Sequence, residues 1–298
     1  MWRGLYTAAT GMVTEQFRTD VIANNLANAA TTGYKHDKAV HAEFHNMLIR
    51  RVYDHEDGGT VGMVGDGFNS LASLGTSSND VTQIKGFNAD PFYAPSIGQL
   101  GLGDYIDEIA VDYSQGAFET TGNTFDLAIA GEGFFVIQTP DGIRYTRNGA
   151  FFKNQNGVLQ DIRGYNLLDV NNQPITIPAN IANERIIVTG DGTISTMNNN
   201  QQQVLGQIQL VQFANRFQTQ KQGYNLFYAV TDNNGNVAQP IAANGEIVQG
   251  MLEKSNVEIV REMVELIHTH RLYEANAKAV TTQDTMLDAS VNQVGRVG

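Results

Sequence analysis

The sequence predicts an α+β protein. Long helices at the two ends pack together as a coiled-coil-like stalk, and a mainly antiparallel β domain lies between them. Three observations predict it. Apolar residues step in threes and fours along both ends of the chain. The middle replaces that period with short β-type runs separated by turn dipeptides. The hydrophobic content of 42% in 298 residues is enough for a packed body plus a helical stalk. The expected division is 1–35 as an N-terminal helix, 36–103 as an extended or irregular segment, 104–254 as a β-rich domain, and 255–298 as a C-terminal helix.

The C-terminal helix rests on the longest pattern. Ile259, Met263, Leu266, His270, Tyr273, Ala277, Val280, Asp284, Leu287, Val291 and Val294 alternate steps of four and three, and all but His270 and Asp284 are apolar. A heptad held this long is the seam one helix presents to another. Ser255 and Glu258 have the spacing of a capping box, which places the helix start there. Gly295 and Gly298 bracket its end. A helix over 255–294 would run about 55 Å at 1.5 Å per residue, longer than a compact body needs, so its seam requires a partner.

The N-terminal helix offers one. Leu5, Ala8, Met12, Glu15, Thr19, Ile22, Leu26 and Ala29 repeat the three-and-four stepping, and Ala9, Val13 and Phe17 widen the stripe. The simplest arrangement pairs the two ends. Polar positions in both seams leave two readings open: a hairpin that tolerates them, or seams that also face neighbouring subunits. The helix runs into Ala23-Asn-Asn-Leu-Ala-Asn-Ala-Ala-Thr-Thr-Gly-Tyr-Lys35, where asparagine disfavours helix and Gly33 can take the left-handed conformation that closes one. Asn24, Asn25 and Asn28 are candidates for turn contacts or for polar contacts between chains.

Within segment 36–103, the stretch from Gly58 to Gly103 is rich in Gly, Ser, Asn and Asp, with Pro91 and Pro95 in between, and reads as an extended loop or small irregular subdomain. His41 and His45 lie four apart, with Glu43 between them and His36 and His55 nearby, but no fixed third ligand accompanies them and no metal is expected. From 104 onward, residues 127–137 read as strand, glycine-relaxed turn and second strand. Gly142, Asn148-Gly149, Asn156-Gly157, Asp191-Gly192 and Asn234-Gly235 punctuate further runs at 185–188 and 207–213, and 198–203 is a polar tip. The glycines of this region lack a dinucleotide fingerprint, and no phosphate loop occurs, so no cofactor is expected. Asp232-Asn-Asn-Gly-Asn236 is too short for a calcium loop.

Composition excludes several classes. A net charge of -12 argues against nucleic acid, which needs clustered cations. Without cysteine there is no disulfide, thiolate metal site or cysteine nucleophile. No apolar run reaches the length of a membrane span, and the N-terminus lacks an apolar leader, so ordinary rules assign the cytoplasm. No catalytic constellation stands out, and no enzymatic activity is expected.

Three separated motifs carry a resemblance. The 23–35 run is similar to the N-terminal signature of the bacterial flagellar rod and hook axial proteins. Thr121-Gly-Asn-Thr-Phe-Asp-Leu-Ala-Ile-Ala-Gly-Glu-Gly-Phe-Phe135 with Tyr145-Thr-Arg-Asn-Gly149 resembles the start of their β domain. Ser255-Asn-Val-Glu258, Glu262-Met-Val-Glu-Leu-Ile267 and Arg271-Leu-Tyr-Glu-Ala-Asn276 resemble their C-terminal helix. The likeness is closest to the rod members, distal or proximal, and the long segment from about 50 to 104 departs from their short pattern. The resemblance implies a structural subunit of the basal-body rod, a hollow helical drive shaft that carries motor torque to hook and filament and so supports motility. Terminal helices of many copies would line its inner tube, with the β domain outside. Implied partners are further copies of itself, other rod and hook axial proteins, the flagellar type III export apparatus, and the ring or bushing proteins around the rod. Export through that apparatus without a cleaved signal would place the chain outside the cytoplasm, in the basal body within the envelope. The expected seam residues are Leu5, Met12, Ile22, Leu26, Met263, Leu266, Tyr273, Val280 and Leu287, with Asn24, Asn25, Asn28, His270 and Asp284 as polar contacts. The competing expectation is a β-rich hydrolase or carbohydrate-binding domain acting on the cell wall.

Overall fold

The computed structural model describes residues 2–43, 47–50, 96–100, 103–178, 181–198, 201–215, 218–231 and 237–294. His45, His55, Pro91, Pro95, the 232–236 turn, and Gly295 and Gly298 lie outside the described residues. A helix (α1, Trp2–Ala27) opens the chain and another (α2, Ile259–Ala289) closes it, with a β-rich region between, so the fold is α+β.

α2 starts four residues later than the Ser255 signal suggests. Ser255 Oγ accepts from the Val257 N–H at 3.2 Å, and no side chain caps the helix at Glu258. The capping box does not form because tertiary bonds hold this stretch extended. The Asn256 amide accepts from the His36 N–H at 2.7 Å and donates to the Asp112 carbonyl at 2.9 Å. The 31 helical residues therefore span about 46 Å, shorter than expected, before a π-helical turn at Ser290–Val294.

The two helices lie antiparallel. Gly4 faces Gln283, Gly11 faces Asn276, Arg18 forms an ion pair with Glu265, and Asn25 bonds Glu262.

Strands, not a loop, flank the turn-rich segment. β1 (Asp37–Glu43) pairs antiparallel with β4 (Asp104–Val111), making a two-stranded ribbon, and β2 (Met47–Arg50) pairs antiparallel with β3 (Ser96–Leu100) in a second two-stranded sheet. Residues 104–111, expected to open the β domain, belong to this ribbon. Its pairing joins residues more than sixty apart in sequence, Asp37 with Val111 and Glu43 with Asp104. The ribbon lies on α1, where the Thr14 hydroxyl donates to the Asp104 carbonyl at 3.1 Å.

The β body begins with β5 (Phe118–Thr120), β6 (Leu127–Ala130), β7 (Phe134–Thr139), β8 (Gly142–Thr146), β9 (Phe151–Lys153), β10 (Leu159–Asp161) and β11 (Asn166–Leu167). It continues through β12 (Ile186–Val188), β13 (Thr193–Asn198), β14 (Gln201–Gln207), β15 (Leu210–Gln212), β16 (Thr219–Gly223), β17 (Leu226–Ala229), β18 (Ile241–Ala242), β19 (Glu246–Gln249) and β20 (Met251–Glu253). The main sheet runs β16-β17-β8-β7-β11-β10-β9, with β15 and β18 attached; β12-β13-β14 form a smaller sheet. Of the polar tip expected at 198–203, Asn198 ends β13 and 201–203 begin β14, while 199–200 lie outside the described residues. As expected, 127–137 is two strands around a glycine bend, yet they pair elsewhere: β6 with β19, and β7 with β8.

β7 sits in the middle of the body and is buried on both faces. Its alternate side chains go to two different cores, as a strand's two-residue period requires. Phe135 and Ile137 join Leu127, Leu159, Ile177 and Ile194 on one side. Phe134 and Val136 join Tyr145, Val211 and Phe227 on the other.

Candidate functional site

Two features outside the β cores carry chemistry that a lone globular domain does not need: a buried polar junction where all the parts meet, and the outward faces of the two helices.

The junction is built from the 23–35 run. α1 ends at Ala27, and the Asn28 amide folds back to the Asn24 carbonyl at 2.9 Å. Gly33 is left-handed (φ 67°), but it lies past the helix end and does not cap it. Its N–H donates to the Glu253 carbonyl at 2.8 Å, and a Cβ there would meet the Arg147 backbone at 2.5 Å. That close approach delivers Lys35 into the interior. Lys35 Nζ donates to Glu253 Oε1 at 2.7 Å and to the Ser114 carbonyl at 2.8 Å, and Arg147 Nη1 donates to Glu253 Oε2 at 3.3 Å. Lys35 and Glu253 are each 1% exposed, and Arg147 is 5%. Loss of water pushes Lys35 and Arg147 below their ordinary pKa values, and the Glu253 carboxylate opposes that shift. One carboxylate therefore ties the N-terminal signature to the last strand and the β body at once.

Beside it, Asn25 acts like a short strand. Its Oδ1 accepts from the Asp37 N–H at 2.9 Å and its Nδ2 donates to the Asp37 carbonyl at 2.8 Å, which fixes the start of β1 against α1. The Tyr34 hydroxyl donates toward Asn25 Oδ1 at 3.1 Å. Burial, then the Asp37 charge, raise the Tyr34 pKa well above its ordinary value. Lys221 Nζ bonds Asp37 Oδ1 at 2.7 Å and lies 4.1 Å from the Tyr34 ring centre, a cation–π distance. His36 Nε2 lies 3.0 Å from Glu262 Oε1, and His41 Nδ1 lies 3.1 Å from Asp104 Oδ2. These histidines serve separate carboxylates, and among the described residues no cluster of metal-binding groups occurs.

Between the helices the most deeply buried positions are mostly polar, and several bulky apolar side chains lie outside. A step of seven up α1 meets a step of seven down α2: Gly4 with Gln283, Gly11 with Asn276, and finally Asn25 with Glu262. The amide nitrogen of Asn276 would lie 2.7 Å from a Cβ at Gly11, so only glycine leaves room for that amide as it stands. Thr269, midway along, is fully buried, and its hydroxyl has no hydrogen-bond partner among the described residues. Outside, Val260, Met263, Val264 and Ile267 are 49–69% exposed on α2, as are Tyr6, Val13 and Phe17 at 53–57% on α1. The α1 residues line a groove of about 740 Å³ against β4, completed by Val21, Tyr105 and Ile109, whose charged members, Asp20, Asp37 and Asp104, are all acidic.

The expected seam residues divide. Leu5, Met12, Ile22 and Leu26 are buried or half-buried in the hairpin, as are Leu266, Tyr273, Val280 and Leu287. Met263, His270 and Asp284 are exposed. The α2 heptad read from the sequence is thus split between two faces, because the face on α1 is centred on Glu262, Thr269, Asn276 and Gln283. Asn25 is buried and its partners lie within the chain, Asn28 is half-buried at the helix end, and Asn24 is exposed. Sequence reasoning missed Lys35, Arg147 and Glu253; nothing local marks three charges that converge from positions 35, 147 and 253.

Three family profiles match in chain order. "Flagella basal body rod protein" covers residues 5–35, "Flagellar hook protein FlgE/F/G D1 domain" covers 128–196, and "Flagellar basal body rod FlgEFG protein C-terminal" covers 248–294. Full-length relatives agree. The chain is 33% identical to the flagellar basal-body rod protein FlgG of Borreliella burgdorferi, over 98% of each chain. It is 33% identical to FlgG of Bacillus subtilis, over 98% of this chain and 99% of the relative. It is also 29% identical to the flagellar hook-basal body complex protein FlhO of Bacillus subtilis over the full length of both.

Proposed function

The chain belongs to the flagellar basal-body rod protein family, and on that premise we propose that its two helices form the inner, assembling part of the rod while the β body lies outside them. The protein is a structural subunit of the flagellar basal body and not an enzyme; the wall-acting hydrolase has no support. Other flagellar axial proteins are its natural neighbours. No described helix is long and apolar enough to cross a membrane.

The observation that carries the proposal is the apolar outer face of the hairpin. A helix pair that half-buries Leu5, Met12, Leu266 and Tyr273 beside amides, a threonine and a glutamate, while presenting Val260, Val264, Ile267, Val13 and Phe17 outward, has much of its apolar burial still to come. In the rod, copies supply it, and an open helical array follows when the contacting patches differ. Export by the flagellar type III route, and placement beyond the inner membrane, belong to the same reading. So do the roles of Leu5, Met12, Ile22, Leu26, Leu266, Tyr273, Val280 and Leu287 as hairpin residues and of Met263, His270 and Asp284 as contacts to neighbours or to the channel.

The test removes the helices and keeps the junction. A chain trimmed to 28–258 retains Lys35, Arg147 and Glu253 and is expected to stay folded and monomeric, while the full chain forms rods visible by electron microscopy. Rods built by the trimmed chain would reject the proposal.

A further inference from the structure

The groove between α1 and the ribbon and the outward stripe of α2 fit one another, and they cannot meet within one chain. The stripe reads Val260, Met263, Val264 and Ile267, the i, i+3, i+4, i+7 spacing by which a helix anchors in an apolar groove. It faces away from its own α1, because Glu262 and Thr269, on the opposite side of α2, are the residues buried there. The groove is walled by Tyr6, Val13, Phe17, Val21 and Ile109 and has room for several side chains. Charge selects the same match. The charged groups lining the groove are carboxylates, Asp37 paired with Lys221, Asp104 beside His41, and Asp20, whereas the exposed charges within 260–272 of α2 are Arg261 and Arg271, with Glu262 buried, Glu265 held by Arg18 and Glu274 exposed just beyond. Among the described residues neither arginine, nor Asp20 in the groove, has an ion-pair partner.

We propose that the α1–ribbon groove receives the 260–267 stripe of α2 from a second copy of this chain. The inference rests on the rod reading above and adds which surface meets which. Groove and stripe are different patches on one molecule, so each copy can take one neighbour and offer itself to the next, and the chain of contacts does not close. The contact leaves the polar hairpin seam intact and covers the apolar side chains that the monomer exposes.

The absence of cysteine from the chain makes the test direct. Two full-length variants, Phe17→Cys and Val264→Cys, each carry a single thiol. Mixed and oxidised at concentrations where the wild type assembles, they are expected to yield a disulfide dimer containing one of each, at least about tenfold over the dimer either forms alone. In parallel, Val264→Glu is expected to weaken self-association by at least about tenfold while its thermal unfolding matches wild type, since residue 264 is exposed. If the wild type assembles but Val264→Glu assembles equally well and only like-with-like disulfides form, this docking is wrong and the rod reading stands. If the wild type never leaves the monomer at any concentration, both fail. A disulfide from residue 17 formed in cells only to a different axial protein would overturn the assignment to a second copy.

Discussion

The β body and the helix pair solve the burial problem in opposite ways. In the body, Phe135, Ile137, Leu167, Ile177, Ile194 and Phe227 are completely sealed by partners in the same chain. In the helices the most deeply buried of the described positions are mostly polar or small, Ala8, Thr14, Asn25, Glu262 and Thr269 beside the large aliphatic Ile22; Leu5, Met12, Leu26, Leu266 and Tyr273 are only half-buried, and many other bulky apolar side chains are outside. The difference teaches where each region's stability resides. The body completes its apolar burial within the chain, whereas the helices leave apolar side chains exposed that, on the proposed reading, other copies cover.

The contrast can be broken most directly by paired truncations. Phe227→Ala should cost the free chain about 3–5 kcal/mol in denaturant unfolding, whereas Phe17→Ala should leave it within about 0.5 kcal/mol and instead abolish assembly. Equal stability losses from the two would erase the distinction. A loss of the same size is expected at the link between the regions: Glu253→Gln strands the buried Lys35 and Arg147 without their anion, at about 3–5 kcal/mol, and should loosen the helices together with the body.

A smaller effect runs the other way. Thr269→Val removes a buried hydroxyl that has no partner at nearly constant volume, so the helix pair should gain about 1 kcal/mol, read as slower amide exchange along α1 and α2. In wild-type monomer those amides should exchange faster than the β7 and β8 amides, because helices with a polar seam are marginal.

The least effect is expected from pH, and its sign follows from the junction. Burial lowers the pKa of Lys35 and Lys221 in the folded chain, so the unfolded chain binds more protons just below the ordinary lysine value of 10.5, and stability should rise as pH climbs through that window. Tyr34 acts oppositely: its folded pKa lies above the ordinary 10.0, so above that pH the unfolded chain ionises first and stability should fall. Replacing Tyr34 by Phe should reduce the fall, leaving the part that the buried Tyr145 contributes, and Lys35→Met should reduce the rise to the part that Lys221 contributes, in thermal unfolding followed across pH.

Much of the fold was legible in the sequence. The three-and-four period marked both helices, and turn dipeptides marked the β body, since each is a local consequence of side-chain direction. The ribbon was not legible, because the partners of Asp37–Glu43 come after the long turn-rich stretch and pairing across such a gap leaves no local period. The start of α2 was misread for a related reason: Ser255 and Glu258 have the spacing of a cap, but Asn256 is claimed by His36, Asp112 and Ser114, and tertiary bonds override the local signal. The heptad on α2 was real as a period and mistaken as a single face. Apolar spacing says that residues will be buried without saying by which partner.

By itself, then, the sequence determined the helices at its ends, the β character of its middle and the family to which the chain belongs, because periodicity and motif are written in neighbouring residues. Only the tertiary structure decided that Lys35, Arg147 and Glu253 share one dry pocket, and that α2 turns Glu262, Thr269, Asn276 and Gln283 inward. Both depend on which distant segments approach closely enough to exclude water, where a charge must find its counter-charge and a glycine must leave room for an amide. The 260–267 stripe, left outside by that choice, is the surface that the proposed neighbour would cover.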